Sequence, residues 1–215
     1  MTRFTLVIGN KNYSSWSLRA WLAMRRTGAE FEEIVIPLDR PDSAPKISAW
    51  SEAGMVPILR HTDLTVWDSL AIGEYLAELY PDADLWPEAS DARALARSAV
   101  AEMHSGFAAL RRAMPMDIAR RREKAPDAAV ATDIARICAL WSQCRTRFGQ
   151  GHGDFLFGPF TLADAFFAPV VTRFVSYEVE LPDSAKHYRD AIMAWPDMQA
   201  WCADAAAEPW VIENP

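Results

Sequence analysis

Cysteine is scarce in this chain and confined to its later part: Cys138, Cys144 and Cys202 are the only three in 215 residues. An odd number, with no Cys-x-x-Cys and no ligand-like spacing to the four histidines, argues against a disulfide framework and against a metal site. Long apolar runs are missing too. No window approaches the ~20 residues that a membrane helix needs, and Met1-Thr2-Arg3-Phe4 leads into a short apolar stretch without the pattern of a secretory leader. A cytoplasmic protein with no membrane partner is therefore expected. Basic charge is in short supply, with 22 Lys and Arg against 29 Asp and Glu and a net charge of -7. Counted to either side of residue 82, the two parts carry -3 and -4, so neither is a basic arm. Phosphate backbones are held by basic patches, so no nucleic-acid partner is expected. Apolar residues, by contrast, make up 51% of the chain, ample for a packed core and far from a disordered composition.

Phe4 to Ile8 reads as a buried strand, followed by a polar turn from Gly9 to Tyr13. From Ser15 to Thr27 the apolar residues Leu18, Trp21, Leu22 and Met24 recur at near-helical spacing, and Gly28 is placed to end the helix. Phe31 to Ile36 is a second β-rich run, which makes a βαβ unit. After a polar connection over 37–51, Val56 to Arg60 and Leu64 to Trp67 flank a turn at His61-Thr62-Asp63 and predict a hairpin. Asp68 and Ser69 then offer N-cap chemistry to a helix with Ile72, Leu76, Leu79 and Tyr80 on one face, ended by Pro81. The order βαβ-ββα describes a small α/β sandwich.

Beyond Pro81 the strand signals vanish. Leu95, Ala99, Met103, Phe107 and Leu110 predict one long amphipathic helix, and Val130, Ile134, Ile137, Trp141, Cys144 and Phe148 a second. Thr161-Leu162-Ala163-Asp164 has the form of a capping box opening a third. The stretches 182–195 and 196–207 supply two more, with Trp210 to Ile212 as a returning tail.

Three local features carry chemistry. Tyr13-Ser14-Ser15-Trp16-Ser17 stands at a strand-to-helix turn, where free N–H groups and the helix dipole favour an anion or a thiolate. A serine there also serves as an ordinary cap. Val56-Pro57 is an X-Pro bond opening a strand, and Asp68-Ser69 suits an ammonium and a carboxylate as well as an N-cap.

The combination of a serine turn after strand one, Val-Pro before strand three, Asp-Ser opening the next helix, a proline-bearing linker and an all-helical remainder resembles the glutathione S-transferases. The run from Ser14 to Arg19 is similar to the Ser-Ser-Cys-Ser-Trp-Arg of the serine-type, zeta-like group, with Trp16 in place of the cysteine. The resemblance implies an α/β plus all-α fold: a thioredoxin-like, glutathione-binding domain over 1–82, a linker over 83–90 and an all-helical domain with the electrophile site over 91–215. It further implies a homodimer with glutathione as cosubstrate and no permanently bound cofactor. Ser14, with Ser15 beside it, would be catalytic. Val56 would hold the cysteinyl backbone with Pro57 cis, and Asp68 and Ser69 the γ-glutamyl end. Met103, His104, Phe107, Arg111, Phe166 and Arg173 are candidates for the electrophile pocket, Arg173 toward an anionic substrate. With no cysteine at the serine turn, the reactive sulfur is expected to arrive with glutathione, for conjugation, isomerisation or peroxide reduction. The rival expectation is a non-catalytic interaction module of the same fold in transcription or translation.

Overall fold

The computed structural model describes residues 4–122 and 124–213, so Met1 to Arg3, on which the leader reading rests, lie outside the described residues. The first third builds β1 (Phe4–Ile8), α1 (Ser15–Arg26), β2 (Phe31–Val35), the short α2 (Ser43–Ser48), β3 (Ile58–His61), β4 (Leu64–Trp67) and α3 (Ser69–Leu79). The strands lie in the order β2-β1-β3-β4, with β1 parallel to β2 and antiparallel to β3, and β4 antiparallel to β3. Period-two alternation in β1 divides the core. Phe4, Leu6 and Ile8 join the helices α1 and α3, while Val7 packs with Ile36, Ile47 and Ile58 under α2.

The helical remainder comprises α4 (Ser90–Ser105), α5 (Ala108–Ala113), α6 (Ala128–Cys144), α7 (Leu162–Ser176), α8 (Asp183–Ala194) and α9 (Pro196–Ala207). The single helix expected through Leu95 and Leu110 is two. Gly106 leaves the helix extended and Phe107 takes φ +54°, so the chain re-enters a helix at Ala108 on a new axis. Apolar periodicity runs across this break because both helices bury the same side, and a periodic pattern carries no record of a single left-handed residue. Phe148 likewise falls in a π turn, Arg145–Gly149, beyond the end of α6. Leu79, expected on the buried face of α3, is exposed at the frayed end of its helix. The hairpin turn is shorter than read: His61 pairs with Leu64, leaving Thr62 and Asp63 as the turn, with Thr62 at positive φ.

Helix α1 is buried on both sides. It packs on α3 and the sheet within its own half and on α7 and α9 in the other. Gly28, at φ +70°, ends it as expected, its N–H donating to the Arg25 carbonyl. Helix α7 is buried along almost its whole length and is held by Asp164. One oxygen of that carboxylate accepts the Leu156 N–H at 3.0 Å and the Tyr188 hydroxyl at 3.1 Å; the other accepts the Thr161 N–H at 2.8 Å and its hydroxyl at 3.0 Å. Full burial pushes the Asp164 carboxyl up to about 6, the four donors pulling the other way.

Asp164→Ala orphans four donors inside the helical core. A loss of about 3 kcal/mol is expected in urea unfolding, against about 1 kcal/mol for Thr161→Ala, which leaves the carboxylate and its other donors in place.

Candidate active site

The edge at which β1 hands over to α1 opens into a cleft of about 730 Å³ lined by Tyr13, Ser14, Ser15, Trp16, Leu38, Ile47, Gly54, Met55, Val56, Pro57, Trp67, Asp68 and Ser69. All six residues expected at the glutathione end, Ser14, Ser15, Val56, Pro57, Asp68 and Ser69, are therefore on one wall system.

The two serines differ. Ser14 is the N-cap of α1: its Oγ accepts the Ser17 N–H at 3.4 Å and donates to Ser17 Oγ at 2.7 Å, and Ser17 Oγ accepts the Gly9 N–H at 3.0 Å. The capping use of this serine is thus realised. Ser15, the first helical residue, has no side-chain hydrogen bond among the described residues. The Val56-Pro57 peptide is cis, and the Val56 backbone is free of partners among the described residues. Asp68 takes φ +74° at the N-cap of α3, a strained conformation that an aspartate tolerates when its carboxylate is engaged, here by the Leu70 N–H at 2.7 Å. Beside it the Ser69 hydroxyl is buried without a partner among the described residues. Unpaired polar groups gathered on one concave wall are what a polar ligand satisfies.

Of the six residues expected in the electrophile pocket, four are interior and two come near the cleft. Met103, Phe107 and Phe166 are buried in the core, Phe107 from a left-handed backbone position. Arg173 is also interior: its Nε donates to the Met114 carbonyl at 2.9 Å and its Nη1 to that of Pro169 at 3.0 Å, so it braces the helices rather than lining the cleft. His104 and Arg111 come near the cleft through Trp16. The imidazole meets the indole edge-on at 5.1 Å, and the Arg111 guanidinium lies 5.5 Å from the same ring. His104 Nε2 also reaches Asp68 Oδ2 at 3.2 Å, joining the two halves across the cleft rim. Burial holds the His104 imidazolium below its usual pKa, against the pull of Asp68.

The turn that presents Ser14 is anchored by residues no local motif announces. Glu208, just past α9, accepts the Lys11 N–H at 2.6 Å and the Asn12 N–H at 3.1 Å. The Asn12 side chain donates to Asp117 at 3.0 Å and accepts the Ala119 N–H at 2.8 Å. Lys11 lies 5.3 Å from both the Trp21 and Trp201 rings and pairs with Glu33 and Asp204. Lys11 in an otherwise buried stretch was the one available signal, since a buried lysine needs partners.

Comparison with known proteins gives a consistent family. Residues 13–79 match the family model for the glutathione S-transferase N-terminal domain, and residues 91–204 that for the C-terminal domain. A glutathione S-transferase 1 of Dianthus caryophyllus is 35% identical over 83 residues, 38% of this chain and 38% of that protein. A maleylacetoacetate isomerase of Rhizobium meliloti (strain 1021) is 30% identical over 142 residues, 66% of this chain and 54% of that protein. The matches thus span about half or less of these relatives' length. Among solved structures, a glutathione transferase homologue of Burkholderia gl BGR1 with bound glutathione has a TM-score of 0.68 at 25% identity, covering 95% of this chain and 98% of its own.

Two outcomes test this geometry. Glu208→Ala should speed hydrogen exchange of the Lys11 and Asn12 amides well beyond that of the sheet, as followed by mass spectrometry or NMR. His104 should titrate below the ordinary 6.5 in an NMR experiment, and Asp68→Asn should lower it further, because the aspartate charge favours the imidazolium.

Proposed function

The chain belongs to the glutathione S-transferase family, and we propose that it binds glutathione in the serine-turn cleft and activates its thiol for attack on a small electrophile. The observation that carries this reading is the set of unpartnered polar groups on that wall: the Ser15 hydroxyl, the Val56 backbone and the Ser69 hydroxyl. They match the thiol, the cysteinyl backbone and the γ-glutamyl end of glutathione. The Val56 main chain pairs with the cysteinyl backbone, and Ser69 and the first N–H groups of α3 take the γ-glutamyl carboxylate. Asp68 takes the ammonium, its second oxygen being the one that His104 now touches.

A thiol of pKa ~8.5 is only about 3% ionised at pH 7, and lowering it by ~2 units requires roughly 2.7 kcal/mol of preference for the thiolate. A hydroxyl donating to sulfur and the N-terminus of α1 supply interactions of that size. Ser15 Oγ has no side-chain partner among the described residues and is free for this, whereas the Ser14 hydroxyl is tied to that of Ser17 and holds the turn. The sulfur is then the nucleophile, and the serines are donors. Conjugation, glutathione-dependent isomerisation and peroxide reduction all begin from this thiolate. A non-catalytic module has no use for such a wall, and relatives bearing transferase and isomerase names favour the enzyme.

The proposed glutathione unit is residues 1–82, followed by the linker 83–90 and a helical unit from 91 to 215. Three unpaired cysteines suit a reducing, cytoplasmic compartment. Exposed Leu64 and Trp67 on the edge strand β4 support self-association as a homodimer.

Titration of glutathione by calorimetry, with thiolate absorbance read across pH, tests the assignment. Ser15→Ala should raise the apparent pKa of the bound thiol by about one to two units with little loss of affinity. Ser14→Ala should mainly lower stability, by about 1 kcal/mol. An unchanged thiol pKa in both variants would sink the serine mechanism.

A further inference from the structure

One wall of the cleft is apolar and open to solvent. Met55 is 67% exposed and Trp67 53%, two of the five large apolar side chains that the described residues leave exposed, and both line the cleft. Leu38 and Ile47 line it beside Met55 and pack with Val56 in the cluster under α2. This wall is held in place by its backbone. The Leu38 N–H donates to Asn10 Oδ1 at 2.6 Å, and the Leu38 side chain fills the space above Gly9, where an added Cβ would meet it at 2.7 Å. Gly54, at φ +64°, donates its N–H to the Ser51 carbonyl at 3.1 Å and hands the chain to Met55. Fixed apolar surface beside a set of polar ligand groups is what receives an apolar part of the same ligand.

The proposed anchors give glutathione a direction. With the γ-glutamyl end at Asp68 and Ser69 and the cysteinyl backbone on Val56, the third residue lies one extended step of about 3.3 Å further, toward Leu38, Ile47 and Met55. Glutathione carries a carboxylate there, and the wall has no charge to meet it: among the described residues, Asp68 is the one charged side chain that lines the cleft. Residues 38–56, which carry this wall, hold two cations against three acids, Arg40 and Lys46 against Asp39, Asp42 and Glu52. Lys46 is already paired with Asp42 at 2.6 Å, and Arg40 and Glu52 are exposed. Lys11 is held between Glu33 and Asp204, and His104 touches Asp68 at the other end of the cleft. A carboxylate laid on Leu38, Ile47 and Met55 gives up water and gains no counter-charge, whereas a neutral end gives up little and buries carbon.

We infer that this wall selects the third end of the thiol cosubstrate for neutrality: the cleft takes γ-glutamylcysteinyl thiols whose terminal carboxyl is capped as an amide or ester at least as well as it takes glutathione. The inference rests on the glutathione-binding reading for the ligand's orientation and adds a specificity that the reading does not contain. Charge is recognised at Asp68 and Ser69, and apolar area at Leu38, Ile47 and Met55.

Three S-methyl thioethers, which form no disulfides, are titrated into the full chain by calorimetry: S-methylglutathione, its glycyl carboxamide and its glycyl ethyl ester. The amide should bind no more weakly than the acid, and the ester at least about threefold more tightly. Met55→Lys, a change at an exposed position, should strengthen the acid about threefold and leave the amide where it is. Arg40→Gln and Lys46→Gln should leave the ratio of acid to amide unchanged. A preference of about threefold or more for the acid in the wild-type chain, or an acid-specific loss in either of those two variants, would overturn the selectivity, since a dedicated charged partner is worth at least that much. Met55→Lys acting equally on acid and amide would overturn the placing of the third end on this wall. A preference for the acid leaves the glutathione reading standing, whereas failure of all three probes to bind removes that reading and the selectivity together.

Discussion

The site depends on one tether. The serine turn follows directly on Gly9–Tyr13, and that segment is fixed less by its own half of the molecule than by carboxylates from the far end of the chain. Glu208 accepts two successive main-chain N–H groups, and Asp117 holds the Asn12 side chain. Trp201 donates its indole N–H to the Lys11 carbonyl at 2.9 Å. Charge-assisted bonds to backbone donors are among the stronger ones available, and here they define where α1 begins. A helix N-terminus activates a thiol only if its first turn stays put, so the position of Ser14 and Ser15 is a tertiary property.

Helix α1 carries that constraint through the molecule. Its Leu18, Leu22 and Met24 are fully buried, and it contacts both α3 and α7, which makes it the common wall of the two halves. Because α7 is itself braced by Asp164 through four donors, a stiff helix faces α1 along the serine-turn end. Arg19 sits in this contact, between Trp16 and Phe166. Arg19 and Arg173 are buried there while Arg111 is half-buried, and Arg19 feels the repulsion of both.

Much of the fold was legible from local chemistry. Gly28, Pro81, the Asp68 cap and the Thr161–Asp164 pair each act within one helical turn, and each terminates or starts its helix where the sequence indicates. The strands β1 to β4 were visible because their apolar residues alternate or run together over five residues or fewer. What escaped is of two kinds. The break at Phe107 depends on one backbone angle, which apolar spacing does not encode. The tether joins residues 197 and 105 positions apart, and Arg173 turns inward because two carbonyls wait there. A side chain's direction is set by partners that only the folded chain assembles. Spacing found the helix that bears Arg173 but could not say what it faces. The cleft residues were found because they are caps and turn residues first, and such residues are marked by type as well as by place.

Charge is distributed against the grain of the composition. The chain as a whole carries -7, yet the wall between its halves collects Arg19, Arg111, Arg173 and His104, with few free carboxylates nearby. An acidic exterior gives no help in drawing anions in from solution, and at physiological salt its field fades within about 8 Å. Discrimination therefore falls to the last few ångströms, where a guanidinium stripped of water favours an acceptor far more than it would at the surface. The net acidity of the chain is thus compatible with an interior that gathers cations, because the environment of a buried charge is set by local desolvation and not by overall charge.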